Sequence, residues 1–234
     1  MNAGTLYGIG VGPGDPDLLT VKALRILEGV PVIAYPAPEE GASLARRIVA
    51  PHLTRDYTEI AIRMPLDAAR FPAGDIYDAA ASEIAAHLDA GRDVAALCEG
   101  DAFLYGSFLY LYQRLADDHE VVVVPGVSSP MACAATLGAP LAARNDALMI
   151  LPATLPHEEL VARMALADGL VLIKVGRHID KARAALAEAG LADKARYVER
   201  ASMAEERALP LADAPSPAPY FSMIIAHRRE AAWR

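Results

Sequence analysis

Three short segments rich in glycine, proline and small polar residues hold the residue types that could bind a ligand. These segments are residues 8–20 (the first loop), 97–107 (the second loop) and 124–129 (the third loop). Each loop includes or follows the end of an apolar run that predicts a β-strand. The carboxyl ends of parallel strands share one edge of a sheet, and open α/β folds bind ligands at that edge. Asp101 offers an acceptor, and Ser128 and Ser129 offer small donors or acceptors. Alternatively, the first loop is a plain tight turn, and Asp101 and Ser129 are helix N-caps.

The first loop matches neither of the two common nucleotide-binding loops. The dinucleotide fingerprint needs a third glycine five residues after Gly8 or Gly10, where this chain has Pro13 and Asp15. The phosphate loop needs a lysine directly after a glycine, and none is present here. A carboxylate at Asp15 would also repel a phosphate, since like charges repel. The pattern therefore predicts a ligand that is approached by backbone atoms and lacks a phosphate.

Composition narrows the class of protein. The chain has 234 residues, a net charge of −8 and no long run of charge, which disfavours nucleic-acid binding. Cys98 and Cys133 lie far apart in apolar surroundings, which indicates reduced, buried thiols and neither a disulfide framework nor a metal site. Residues 121–143 carry no charge, but prolines interrupt them, so we expect a strand, a turn and a buried helix, not a membrane span. With no signal peptide in sight, these features predict a cytoplasmic protein with no membrane partner.

Strand and helix patterns alternate through the first half of the chain. Strands are predicted at 6–11, 30–34, 56–62, 93–98 and 120–124, and helices at 17–28, 43–50, 76–90 and 107–116. Residues 63–75, with two prolines, predict a loop. This alternation is typical of a mostly parallel sheet with both faces covered by helices.

The second half is less regular and predicts a separate α/β domain with a mixed sheet. Strands are predicted at 147–151, 170–175, 196–200 and 220–226, and helices at 157–166 and 179–189. Residues 209–219 carry four prolines and predict an extended connection. The boundary is placed near Val127, which divides the chain into domains 1–127 and 128–234.

Taken together, the motifs resemble those of the tetrapyrrole (corrin/porphyrin) methyltransferases. The matching segments are the three loops, Leu-Ile-Lys-Val-Gly at 172–176, and the run from Val198 to Arg207. The resemblance implies two α/β domains with a cleft between them, S-adenosylmethionine as cofactor and S-adenosylhomocysteine as product, and a homodimer. Within the family, residues 7–12, 34–37 and 98–107 are most similar to the enzymes that methylate precorrin-2 at its C-20 meso carbon in cobalamin biosynthesis.

The resemblance also implies which residues form the site. Cofactor contacts are expected at Pro13, Glu99, Gly100, Asp101, Leu104, Ser128, Ser129, Val175 and Ala201. The substrate presents eight carboxylates, so basic residues must gather locally. Substrate-binding candidates are Tyr35, Arg63, Arg144 and Lys174. Methyl transfer to an electron-rich carbon needs no activated nucleophile and no metal, and no catalytic residue is assigned. His52, His178 and Asp75 are the candidates to accept a proton.

Two positions depart from the family pattern. Pro36 stands where uroporphyrinogen methylases carry an acidic residue, which argues against that close relative, and Ala102 replaces the usual proline of the second loop. Three other functions stay open. The substrate could be the cobalt-containing ring; the chain could be an RNA or protein methylase, which an isoelectric point near 5.2 disfavours; or it could bind an adenosyl ligand without catalysis.

Overall fold

Two α/β units, Met1–Ser128 and Ser129–Arg234, make up the chain. The computed structural model describes residues 3–64 and 74–229. Each unit has its own five-stranded sheet, one parallel and one mixed, as the sequence predicts. Within the described residues, no helix is both long and apolar enough to cross a membrane.

The first sheet is parallel throughout. Its strands in chain order are β1 (Leu6–Gly10), β2 (Val32–Pro38), β3 (Thr58–Met64), β4 (Val94–Cys98) and β5 (Val121–Val124). They lie in the order β3-β2-β4-β1-β5. All five residues of the central strand β4 are buried, which explains its continuous apolar sequence.

Four helices cover the two faces of this sheet. They are α1 (Val21–Gly29), α2 (Leu44–Val49), α3 (Gly74–Asp89) and α4 (Phe108–Leu115). Side chains of α1 and α2 pack with Ile9, Ile33 and Leu97 on one face. Those of α3 and α4 pack with Ala34 and Ala96 on the other. Because side chains alternate between the faces of a strand, β1, β2, β4 and β5 contribute to both cores, whereas the edge strand β3 contributes to the second alone.

The second sheet is mixed. Its strands are β6 (Leu148–Pro152), β7 (Gly169–Ile173), β8 (Ala195–Glu199), β9 (Arg207–Pro210) and β10 (Ser222–His227), in the order β6-β7-β10-β8-β9. Only the β6–β7 pair is parallel among these described strands. Helices α6 (His157–Met164) and α7 (Ile179–Glu188) pack on one face, and α5 (Ser129–Leu137) on the other. Cys98 and Cys133 are both buried free thiols, as predicted.

Several predicted boundaries were wrong; the strand predicted at 30–34, for example, is β2 at Val32–Pro38. The helix expected from residue 17 starts at Val21, because the Asp15 side chain closes a short turn on Asp17 N and Thr20 caps α1 instead. Residues 207–210 form β9 at the sheet edge, where a terminal proline is tolerated, so the stretch expected to be an extended connection begins within a strand. The loop predicted over 63–75 overlaps two observed elements, since β3 continues to Met64 and α3 begins at Gly74; residues 65–73 lie outside the described residues.

Candidate active site

The three loops of the first unit meet backbone to backbone through glycines. A Cβ added at Gly10 would lie 2.6 Å from the nitrogen of Gly126 and 2.7 Å from the carbonyl oxygen of Gly100. The first two loops are also paired, since Gly12 and Gly100 exchange N–H···O bonds of 3.1 and 2.7 Å. The predicted meeting of the loops at one sheet edge is therefore confirmed, and no larger residue fits at their contact.

Asp101 fastens the second loop to the third. Its Oδ1 accepts hydrogen bonds from the backbone N–H groups of Phe103 (2.9 Å) and Leu104 (3.0 Å), and its Oδ2 accepts from Gly126 N (3.0 Å). Asp101 is therefore not a helix N-cap, since Ser107 holds that position for α4. Its carboxylate instead closes the turn at residues 101–104. Oδ2 keeps one acceptor site, so the group can still accept a hydrogen bond from a ligand.

The charge of the first two loops is entirely negative. They contain Asp15, Asp17, Glu99 and Asp101 and neither lysine nor arginine. Burial raises the pKa of the Glu99 carboxyl, against the opposing effect of backbone N–H groups that include that of Ala45. Carboxylates without basic partners on these loops disfavour phosphate and favour a cationic ligand.

Apolar side chains of the second loop stand open to solvent. Phe103 is 50% exposed, Leu104 36% and Tyr105 51%. Such an exposed apolar group can pack against an aromatic base. Backbone groups, carboxylates and apolar surface together suit a nucleoside that carries a positive charge and no phosphate.

Two predicted cofactor contacts of the second unit lie beside strained backbone. Val175 is fully buried, so only its backbone could face a ligand, and the preceding Lys174 has a φ of 55°. Ala201 lies between Arg200 (φ 50°) and Ser202 (φ 66°). The left-handed conformation is unfavourable for these residue types and often marks functional sites. Because none of these positions is a glycine, the sequence does not predict the left-handed conformation there.

The remaining predicted cofactor residues occupy the ends of loops. Pro13 follows the paired Gly12 in the first loop. Ser128, which is buried, is the last residue of the first unit, and Ser129 is the first residue of α5. Thus the structure brings the first-unit residues around Gly12, Gly100 and Asp101 together, while Ser129, Val175 and Ala201 belong to the second unit.

Two substrate-binding candidates of the first unit already have partners within the protein. The Tyr35 hydroxyl donates to Glu59 Oε2 at 2.6 Å, and Glu59 also pairs with Arg46, with Nη2 to Oε1 at 2.9 Å. Arg63 Nη1 donates to the backbone carbonyls of residues 38 and 39 at 3.1 and 3.2 Å. These bonds fix the end of β2, so each side chain has a structural role beside the predicted one.

The other candidates lie on exposed or partly buried segments. Arg144, with a φ of 54°, and Lys174 are exposed in the second unit. Of the proton-acceptor candidates, His52 Nε2 lies 3.2 Å from the Pro16 carbonyl oxygen, and Asp75 is in the first turn of α3. Burial, with the neighbouring charges of Lys181 and Arg177, lowers the pKa of His178.

Sequence reasoning missed the role of Ser43. This buried serine donates to the carbonyl oxygen of Pro36 at 2.6 Å and accepts from Arg46 N at 3.2 Å, as the N-cap of α2. It therefore orients the position at which the chain departs from the uroporphyrinogen methylases. The signal was present, since a serine just before an apolar helical pattern predicts an N-cap.

Named relatives cover the chain from end to end. Precorrin-2 C(20)-methyltransferase from Sinorhizobium is 40% identical over 234 residues, covering 96% of each chain. Cobalt-precorrin-2 C(20)-methyltransferase from Salmonella typhimurium is 33% identical over 97% of each chain. Cobalamin biosynthesis protein CobIJ from Mycobacterium tuberculosis is 44% identical over 95% of this chain but only 46% of its own length. The chain thus spans about half the length of the first curated relatives that it matches.

A solved structure has the same fold and carries a bound ligand of the expected type. Uroporphyrin-III C-methyltransferase from Thermus thermophilus, in complex with S-adenosylhomocysteine, superposes with a TM-score of 0.69 at 25% identity. The match covers 95% of this chain and 97% of that one. The sequence also matches the family of tetrapyrrole (corrin/porphyrin) methylases over residues 5–214. Because this match covers most of the chain, the protein belongs to the tetrapyrrole methylase family.

Proposed function

We propose that this chain transfers a methyl group from S-adenosylmethionine to the C-20 meso carbon of precorrin-2, giving precorrin-3A in cobalamin biosynthesis. The observation that carries the proposal is the end-to-end similarity to the Sinorhizobium precorrin-2 C(20)-methyltransferase. The three named sequence relatives are, by their names, proteins of cobalamin, precorrin-2 or cobalt-precorrin-2 chemistry. The substrate assignment therefore follows the relatives, while the cofactor assignment has support from the loops themselves.

The cofactor is proposed to bind at the first and second loops. When bound, S-adenosylmethionine supplies a methyl group on a positively charged sulfonium. Four carboxylates with no basic side chain on these loops favour such a cation. The glycine contacts expose backbone to the ligand, and Phe103 and Leu104 offer apolar surface. The family resemblance adds Pro13, Ser128, Ser129, Val175 and Ala201 as contacts.

The protein's contribution to the reaction is positioning. The substrate carbon is itself the nucleophile, so its alignment with the methyl group and sulfur decides the rate. The hydrogen bonds of Asp101 and the close glycine contacts hold two loops in one conformation before a ligand arrives. Tyr35, Arg63, Arg144 and Lys174 are proposed to bind substrate carboxylates, since arginine in particular pairs with carboxylates in bidentate geometry.

A cobalt-containing ring is the second candidate substrate, and the Salmonella relative supports it. Both reactions methylate the same carbon, so they are separated by presenting each ring. We expect purified protein with methyl-labelled S-adenosylmethionine to label the C-20 carbon of metal-free precorrin-2, as located by NMR. Labelling of the cobalt ring alone would assign the second candidate, and cofactor binding without transfer to either ring would refute both.

We further propose that the chain is a cytoplasmic homodimer, as the family resemblance implies. Size-exclusion chromatography with light scattering measures the assembly directly. A mass of twice 24.8 kDa would support the dimer. A monomer at micromolar concentration would contradict it.

A further inference from the structure

A small cavity lies under the carboxyl edge of the first sheet, on the face that α3 and α4 cover. Its volume is about 10 Å³, enough for one oxygen-sized atom. Ala34 and Ala96 form part of its wall and are buried, whereas Pro36 and Ser107 are partly exposed. The cavity therefore has its rim between the end of β2 and the start of α4, directly beside the second loop.

The hydroxyl group of Tyr77 is the unusual feature of this cavity. Tyr77 is 2% exposed, and its buried hydroxyl makes no hydrogen bond of good geometry within the described part of the chain, where the Ser107 side chain is its polar neighbour. A buried polar group without a partner is costly, and most such groups in proteins are satisfied. Burial raises the pKa of the Tyr77 phenol to about 12, so it stays a protonated donor at any physiological pH.

The position of this hydroxyl is fixed by the surroundings of its ring. The Tyr77 and Tyr110 rings pack with their centroids 4.8 Å apart, and the Arg114 guanidinium lies 5.8 Å from the Tyr77 ring centre. Ser107, which also lines the cavity, occupies the N-cap position of α4 without capping the helix through its side chain. Two hydroxyl-bearing residues thus line one recess, and the buried one packs through its ring but lacks a hydrogen bond of good geometry.

We propose that Tyr77 and Ser107 form a subsite that binds one carboxylate oxygen of the tetrapyrrole substrate. The proposal rests on the proposed function, because it takes the ligand from the eight carboxylates of that substrate. A carboxylate oxygen has the size of the recess and is a strong acceptor for a phenol. Tyr77 is then a positioning residue whose missing hydrogen bond is made when substrate binds. A water molecule is the other source of such an oxygen, and the two sources predict opposite effects of substitution.

The test is Tyr77→Phe in the full-length protein, with precorrin-2 and S-adenosylmethionine as probes. We expect KM for precorrin-2 to rise about tenfold or more, from the loss of one hydrogen bond to a charged group, with little change in cofactor affinity. The melting temperature should stay unchanged or rise, because the hydroxyl makes no hydrogen bond of good geometry to the described part of the protein. Ser107→Ala should raise KM in the same direction.

Tyr57→Phe is the matched control. The Tyr57 hydroxyl donates to the carbonyl oxygen of Leu27 at 3.0 Å, so its loss should lower the melting temperature and leave KM unchanged. If Tyr77→Phe shows that same pattern, the recess holds a structural water and the proposal is wrong. An unchanged KM with unchanged stability would also overturn it. Wild-type protein that neither binds nor methylates precorrin-2 would overturn the proposed function, and with it the subsite, before any variant is compared.

Discussion

Alanine at Gly126 tests the contact that joins the three loops. Its Cβ would lie 2.2 Å from the carbonyl oxygen of Gly100 and 2.6 Å from the carbonyl carbon and oxygen of Gly10. Ordinary contact begins at 3.4 Å, so backbone must move by roughly 1 Å. Because the obstructing atoms are backbone in paired loops, we expect a loss of about 3 kcal/mol in the free energy of unfolding, the upper end for overpacking.

The backbone displacement caused by Gly126→Ala should also lower the catalytic efficiency. A shift of about 1 Å in the loops that position the reacting groups can reduce kcat/KM on the order of 100-fold. Urea unfolding followed by circular dichroism gives the stability, calorimetric titration gives the affinity for S-adenosylmethionine, and the methyl-transfer assay gives kcat/KM.

Gly29→Ala is the matched control for this experiment. Gly29 ends α1, and nothing lies within 4 Å of an added Cβ. Alanine there should stabilise the protein by up to about 1 kcal/mol, since it reduces the entropy of the unfolded chain. The steric reasoning is refuted if Gly126→Ala unfolds at the same urea concentration as Gly29→Ala and binds cofactor like wild type.

Three further outcomes are expected. Asp101→Ala should lower the free energy of unfolding by about 2 kcal/mol and weaken cofactor binding, because three backbone N–H groups lose their acceptor. Asp101→Asn should retain part of both the stability and the affinity. If the two variants have the same effects in unfolding and titration experiments, this reasoning is wrong. Arg63→Ala and Arg144→Ala should weaken tetrapyrrole binding more than cofactor binding in titrations. Arg25→Ala, at an exposed position, is the control. The assignment is contradicted if the two affinities fall equally or if neither affinity falls. Burial raises the pKa of Glu99 in the folded state, so this carboxyl destabilises the fold only when the pH rises above its ordinary pKa of 4.5. Glu99→Gln should therefore become more stable relative to wild type as the pH rises. A difference in urea midpoints that does not change with pH would contradict this.

Much of the fold follows from local patterns in the chain. The apolar run of β4 and the alternation of strands with helices predict a parallel sheet, since these patterns depend on neighbours in sequence. The strand order β3-β2-β4-β1-β5 does not follow, because any of several orders would bury the same runs. Likewise β9 was missed, because Pro210 marks it as a loop and only its pairing with β8 makes it a strand.

The candidate site also has features that the sequence predicts and features that only the tertiary structure shows. The glycine-rich loops, the absence of lysine and arginine from the first two, and the family resemblance are properties of the sequence itself. That Gly10, Gly100 and Gly126 touch, and that Asp101 bonds to Gly126, depends on which strands become neighbours. Nor does any local pattern reveal the buried hydroxyl of Tyr77, which lacks a hydrogen bond of good geometry among the described residues. Steric exclusion and hydrogen-bond satisfaction are decided by residues distant in sequence, so only the tertiary structure determines them.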